Sequence, residues 1–354
     1  MPELDSLRAV AVTIVMLFHF TSNETPARDL AVNTGVRLFF VLSGFLITSL
    51  LLNARDHYRA GEVTLGGAAK TFYARRAFRI MPIYYGTLIA AAAAGIPAVT
   101  GSFWWFAAYL GDIRVAATAD TSTVSHFWSL AVEEQFYLIW PWIVLSTSSK
   151  QLRRVCVAAI VVAPLFRLLM LVTGHPAFGG LLMLGQVDGL GAGALLGIYR
   201  HEQRLAVAAR CSLYASPAML AVLVVFLFSG LAQVPSIGVV VPTAMTGLLV
   251  PVVAYAALGA SGVAGWALNM RPVRYVGRIS YGVYVYHPFM ILLVPALARA
   301  AGIAIPRMGV SSVLLLIAAS LAAGAASWHL IERPIGALRA RLTGQAGIAM
   351  SRVF

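Results

Sequence analysis

Apolar runs of membrane length alternate along the chain with short stretches where the cationic residues collect. Ten such runs stand out, at 7–22, 34–53, 80–97, 127–146, 155–173, 181–199, 213–231, 241–259, 279–298 and 309–331. Coiled as helices, they match a hydrocarbon layer of about 30 Å. The pattern predicts an all-α, polytopic membrane protein with about ten transmembrane helices. A further patch, Phe103 to Leu110, reaches only about 12 Å as helix and ends in Gly111 and Asp112. It is expected as a re-entrant or interfacial segment.

The cations set the orientation. With the N terminus inside, 20 of the 26 Lys and Arg fall in cytoplasmic stretches, and only Arg28, Arg114, Arg299 and Arg307 face outward. Arg37 and Arg167 lie in spans or at their mouths. That asymmetry follows the positive-inside rule and puts both termini in the cytoplasm. If Phe103–Leu110 crossed, every later loop would invert and the rule would fail. Residues 1–334 are read as one transmembrane domain and 335–354 as a short basic cytoplasmic tail. The first span follows the start too closely for a cleavable signal peptide and is expected to stay.

Composition narrows the class further. Hydrophobic residues make up 60% and charged residues 11%, against about 25% charge in soluble domains. The net charge of +13 is spread over loops on one membrane side, so it signals orientation and not nucleic-acid binding. Cys156 and Cys211 lack metal-ligand spacing and read as packing residues. No metal site or glycine-rich phosphate loop is expected, and no bound cofactor.

Chemistry collects in a few places. Arg8 and His19 are eleven positions apart on the first run, about 16 Å along a helix. The arginine then lies at the inner surface and the histidine near the midplane. An imidazole that deep is a functional candidate, although a histidine bonded to a neighbouring helix also fits. Arg76 and Arg79 share a helix face beside the third span, a fork suited to phosphate; an anchor for anionic lipid is the plainer reading. In Ser125–Pro141, Ser129, Glu133 and Tyr137 recur at four-residue intervals and share one face. Glu133, descending from outside, is placed to meet His19, with one of Glu133 and Glu134 facing solvent. Gly189, Gly191, Gly193 and Gly197 read as close helix packing, and Asp188 and Arg167 as a pair.

Together these pieces resemble the acyltransferase 3 family of integral membrane O-acyltransferases. The matching segments are Leu4–Arg8 through His19, Gly35–Leu46, Phe72–Pro82, Trp128–Tyr137, Gly277–Tyr281 to His287, and Glu332–Pro334. The resemblance implies a ten-span core in the bacterial inner membrane, with acyl-CoA, acetyl-CoA above all, as co-substrate. His19 matches the family's essential histidine, Arg8 its partner, Arg76 and Arg79 its cytoplasmic basic pair, and Glu133 its acid. It also implies a carbohydrate or glycolipid acceptor such as lipopolysaccharide or exopolysaccharide. The SGNH-type hydrolase domain that some members carry is not expected here, and polysaccharide-assembly proteins are expected as further partners.

The expected reaction moves an acyl group from cytoplasmic acyl-CoA to a glycan hydroxyl. Arg8, Arg76 and Arg79 hold the donor; His19 acts as base or acyl carrier, and Glu133 orients its ring. Trp128, Ser129, Glu134, Tyr137, Tyr284 and His287 are expected along the acceptor path. His287, followed by Pro288, is as readily a helix-kinking packing element, and Ser43 a packing serine. The rival reading is a proton-coupled transporter or flippase of a lipid-linked sugar; another is a non-catalytic assembly partner.

Overall fold

The computed structural model describes residues 1–21, 26–228, 237–303 and 309–342, and none of these lies in a strand. In chain order the helices are α1 (Pro2–Phe20), α2 (Pro26–Arg59), α3 (Leu65–Ala93), α4 (Pro97–Thr100), α5 (Phe103–Ala107) and α6 (Gly111–Thr118). There follow α7 (Phe127–Ser146), α8 (Ser149–Val172), α9 (Pro176–Leu181), α10 (Met183–His201) and α11 (Leu205–Phe228). The last are α12 (Ile237–Ala257), α13 (Gly262–Asn269), α14 (Arg271–Ala300), α15 (Val310–Ser327) and α16 (Arg333–Leu342), with a π-helical turn, Trp328–Glu332, before α16.

Helices occupy most of the described part of each apolar run expected to span. Among the described residues, seven stretches are long and apolar enough to cross a membrane: Val32–Arg59, Ser149–Val172, Pro176–His201, Leu205–Phe228, Gly238–Ala257, Arg271–Ala300 and Val310–Leu338. The other long helices, α1, α3 and α7, carry Arg8, Arg76 and Arg79, and Glu133 and Glu134. Those charges lower their apolarity, and they belong to the candidate site. Arg307, Arg352, the tail from residue 343, and the side chains of Arg28, Arg339 and Arg341 lie outside the described residues.

Several helices start earlier than hydropathy suggests, because polar caps lie outside the apolar run. Thr64 accepts a 3.0 Å bond from the Gly67 amide, so α3 begins fifteen residues ahead of its expected span. Ser148 and Gln151 form a capping box at the start of α8, satisfying two amides that would otherwise be orphaned. The Phe103–Leu110 patch is a single turn, α5, ended by Tyr109 at φ 54°. Tyr84 and Tyr85 donate to the carbonyls of Phe106 and Ala107 at 2.8 and 2.9 Å, tying that turn to α3.

Packing runs from α8 through α10, α2, α1 and α14 to α15, with α11 and α12 flanking this row. Glycines allow the helices of this row to approach closely, Gly193 and Gly277 among them. A Cβ on Gly193 would strike the Val41 carbonyl of α2, and one on Gly277 the Asp5 carbonyl of α1. The glycines of α10 are therefore a packing stripe, as in other membrane interfaces.

A buried ionic cluster locks this row near the α2 N-terminal end. Asp188 accepts from Arg37 at 3.0 Å and from Arg167 at 2.9 Å. Arg37 also donates to Thr246 and Gln186, and Arg167 to Thr243 and the Gly185 and Val239 carbonyls. The expected Asp188–Arg167 pair is thus present, with Arg37 as a third member. Such a cluster joins four helices and needs every partner, since an uncompensated buried charge is costly.

Candidate functional site

The site begins with a proline. Pro288 lies inside α14 and has no N–H to give the carbonyl four residues earlier, that of Tyr284. That carbonyl instead receives the Nδ1–H of His287, at 2.7 Å. With its proton on Nδ1, His287 presents Nε2 as an acceptor. His19 Nδ1 lies 2.8 Å from that nitrogen and so donates to it, which assigns the lone pair of His19 to Nε2. The ring centroids are 5.0 Å apart and the planes within 11°. That separation exceeds the N···N distance by about two ring radii, so the rings lie edge to edge in nearly one plane, the geometry of an in-plane N–H···N bond.

This arrangement corrects one expectation. The structure brings His287, not the carboxylate of Glu133, onto the ring of His19 as its described hydrogen-bond partner. Glu133 accepts from Ser43 at 2.6 Å, and Ser43 accepts from the Tyr137 hydroxyl at 3.0 Å. The carboxylate and the imidazole line different cavities. The cause is packing: α1 lies against α14, and Gly277 lets the two helices approach closely.

Three cavities follow one another. A vestibule of about 420 Å³ is bounded by Asp5, Arg8, Phe78, Arg79, Arg278, Trp328, Glu332 and Gly336. A neck of about 70 Å³ lies next to it, lined among others by Arg8, Arg76, Arg79, Ser43, Ser129, Glu133, Glu134 and Tyr137. A chamber of about 680 Å³ comes last, with His19, Asn33, Asp120, Thr121, Ser125, His126 and Trp128 in its wall. Arg8 and Arg79 face both vestibule and neck. Val36 and Tyr284 face both neck and chamber.

The expected donor residues are therefore together. Arg76 also stands over the rings of Phe72 and Tyr137, at 5.9 and 5.3 Å from their centroids, which holds its guanidinium in place. The residues expected along an acceptor path divide. Trp128 and Tyr284 face the chamber, whereas Ser129, Glu134 and Tyr137 line the neck, and His287 stands buried behind His19. Both Glu133 and Glu134 face the neck, so the expected solvent-facing member of that pair is corrected too. The reason is that they sit midway along α7, far from either helix end.

His126, the residue before α7, carries no assigned role in the sequence reading. It is 5% exposed, its ring centroid lies 5.4 Å from that of His287, and neither ring nitrogen meets a hydrogen-bond partner among the described residues. Its adjacency to the Trp-Ser-Leu element was the available signal. Ser43 and Tyr137 form the other unforeseen pairing, because helix spacing says nothing of which neighbour a residue will face. Ser129 and Tyr284 complete the wall between neck and chamber through a 2.5 Å hydroxyl–hydroxyl bond.

Apolar helices wrapped around an internal path of arginines, carboxylates and imidazoles define a multi-pass membrane protein with a buried polar site. Residues 1–329 match the acyltransferase 3 family model, described as an acyltransferase domain, and the chain belongs to that family. It is similar to the peptidoglycan O-acetyltransferase OatA of Listeria monocytogenes, 24% identical over 379 residues, which cover 94% of this chain and 55% of that protein. The putative peptidoglycan O-acetyltransferase YrhL of Bacillus subtilis is 25% identical over 372 residues, covering 94% and 54%. A putative O-acetyltransferase of Staphylococcus aureus strain MSSA476 is 32% identical over 162 residues, covering 41% of this chain and 25% of that protein. The chain thus spans about half the length, or less, of these relatives. No solved structure matches it.

Proposed function

We propose that this protein is a membrane O-acyltransferase that takes an acetyl group from acetyl-CoA on the cytoplasmic side. Its acceptor is a hydroxyl of a glycan on the other side. The observation that carries this reading is the row of cavities, the first two sharing Arg8 and Arg79 and the last two divided by Val36 and Tyr284, with His19 in the wall of the last and His287 bonded to it from behind. Membership of the acyltransferase family supports the reaction class. Both termini are cytoplasmic in this reading, and the vestibule opens to the cytoplasm, a placement that the loop charges support.

Size supports this division of the compartments. The neck, about 70 Å³, has room for a slender chain but not for a sugar ring. The chamber, about 680 Å³, falls within the ordinary range for small-molecule sites, and its hydroxyls, imidazoles and Trp128 suit a carbohydrate. Peptidoglycan, named for two relatives, is the first acceptor to assay. Arg8, Arg76 and Arg79 hold the donor phosphates, and the thioester reaches Tyr284, whose side chain turns aside to admit its carbonyl to the chamber. His19 Nε2 takes the acceptor's hydroxyl proton, the oxygen attacks the thioester carbon, and the thiolate leaves. The proton then passes from His19 to the thiolate, giving the ester and CoA.

Purified protein in liposomes, supplied with labelled acetyl-CoA and soluble peptidoglycan fragments, tests the proposal. Label should enter the glycan and disappear with His19→Ala, while the variant still inserts. Full activity in that variant would sink the proposal, and glycan movement without acetyl-CoA consumption would favour a transporter.

A further inference from the structure

A further cavity lies away from the transfer path, on the flank of the bundle. α11 packs against α12 but hardly touches α8 or α10, and a groove of about 390 Å³ is left between them. Ile160 of α8, Leu195 and Tyr199 of α10, and Ala208, Ala215 and Met219 of α11 line it, with α12 behind. Its lining runs from Val207 to Met219 on α11, about 18 Å of helix. Half of a hydrocarbon layer of about 30 Å is about 15 Å, so the groove has the length of one leaflet. Its few polar side chains are already bonded. Ser212 donates to the Ala209 carbonyl at 2.9 Å, and Thr243 and Thr246 are tied into the Asp188 cluster. The floor therefore offers a ligand little beyond apolar contact.

Polarity returns at one end only. Tyr199 lines the groove near the end of α10. Arg204 lies one turn ahead of the lining, its carbonyl accepting the Val207 and Ala208 amides at 3.1 and 3.2 Å. It thus heads the row of Ala208, Ser212, Ala215 and Met219 on one face of α11. Other cations nearby are engaged: Arg153 pairs with Glu202, and Arg200 stands 5.7 Å from the Phe45 ring centroid. Arg204 is exposed and joins no ion pair among the described residues. A slender apolar slot of one-leaflet length, ending in a phenol and an uncommitted guanidinium, has the layout of a lipid. We infer that the groove holds one acyl chain of an anionic phospholipid, with Tyr199 level with its ester and Arg204 on its phosphate. A helix of the same length would need about 1,400 Å³, and a sugar would find no partners on the floor. A zwitterionic headgroup gains less, because its amine meets the same cation. The bound chain completes the wall that α11 leaves open beside the Arg37–Asp188–Arg167 cluster.

The full chain in nanodiscs of equal parts phosphatidylcholine and phosphatidylglycerol, with identical acyl chains, tests this. Native mass spectrometry of the released protein should show a phosphatidylglycerol retained in preference to phosphatidylcholine, and inorganic phosphate should not displace it. Arg204→Glu should lower that retention by about tenfold or more, because the reversal turns an attracting charge into a repelling one. Ala215→Trp, which fills the groove, should abolish retention. Phosphatidylglycerol should raise the melting temperature of the wild-type chain and leave that of Ala215→Trp where it was. Arg204 lies at the surface, so its variant reports even where Ala215→Trp fails to fold. Equal retention of the two lipids, retention unchanged by Arg204→Glu, or displacement by inorganic phosphate overturns the lipid site. So does a dimer in detergent that shields the exposed Cys211 thiol with no lipid retained, which would make the groove a contact between copies of this chain.

Discussion

His287 Nε2 accepts a hydrogen bond from His19 Nδ1 at 2.8 Å, and this one contact assigns the basic nitrogen of His19. His287→Ala should therefore lower kcat by about a hundredfold or more, in the range of a misplaced general base. KM for acetyl-CoA should change little, because the arginines proposed to hold the donor lie in other cavities. Steady-state kinetics on the purified variant measure both, and a wild-type kcat would remove His287 from this role.

Pro288 acts one step further back. Pro288→Ala restores an N–H that competes with His287 for the Tyr284 carbonyl, so the ring loses its fixed tautomer. One hydrogen bond of about 1 kcal/mol is at stake, and kcat should fall by about fivefold to tenfold. The restored helical N–H offsets the packing lost with the buried proline ring. The diagnostic result is reduced turnover at an unchanged or raised melting temperature; unchanged turnover would refute the link.

Tyr284 separates the neck from the chamber, held by its 2.5 Å bond to Ser129. Tyr284→Ala should join the two spaces and let water reach the thioester. Free thiol should then appear from acetyl-CoA without any acceptor. A thiol assay run without glycan reads this directly, and wild-type background release would show that the wall lies elsewhere.

Asp188 compensates two guanidinium groups, Arg37 and Arg167, at 3.0 and 2.9 Å. Asp188→Asn leaves both cations in the bundle without a countercharge and should cost about 3–5 kcal/mol. Detergent-solubilised protein should lose its monodisperse elution peak at a lower temperature than wild type. A wild-type melting curve would mean that the threonines and carbonyls suffice.

The sequence was most informative where depth along a helix was the question. Apolar runs located the helices, Arg8 and His19 lie on one unbroken helix, α1, and four-residue spacing brought Ser129, Glu133 and Tyr137 to one cavity. Rotation about the axis and the choice of neighbour were not legible. A membrane helix that is apolar all round gives no stripe to mark its packed face, so nothing in α1 says that it meets α14 and not α7. The contact of His19 with a residue 268 positions away depends on Gly277, whose small size is visible but whose partner is not. The sequence reading noted Pro288, but its effect on the Tyr284 carbonyl becomes apparent only when the histidine ring is seen to fill the gap.

The residues that Val36 and Tyr284 place between neck and chamber have an electrical consequence. A conduit wide enough for both substrates would also pass ions and dissipate the membrane potential. In the proposed reaction Val36 and Tyr284 stand between the two compartments, so an acetyl unit would change carriers without a continuous water column forming. An energised membrane would thereby be spared a leak at each turnover.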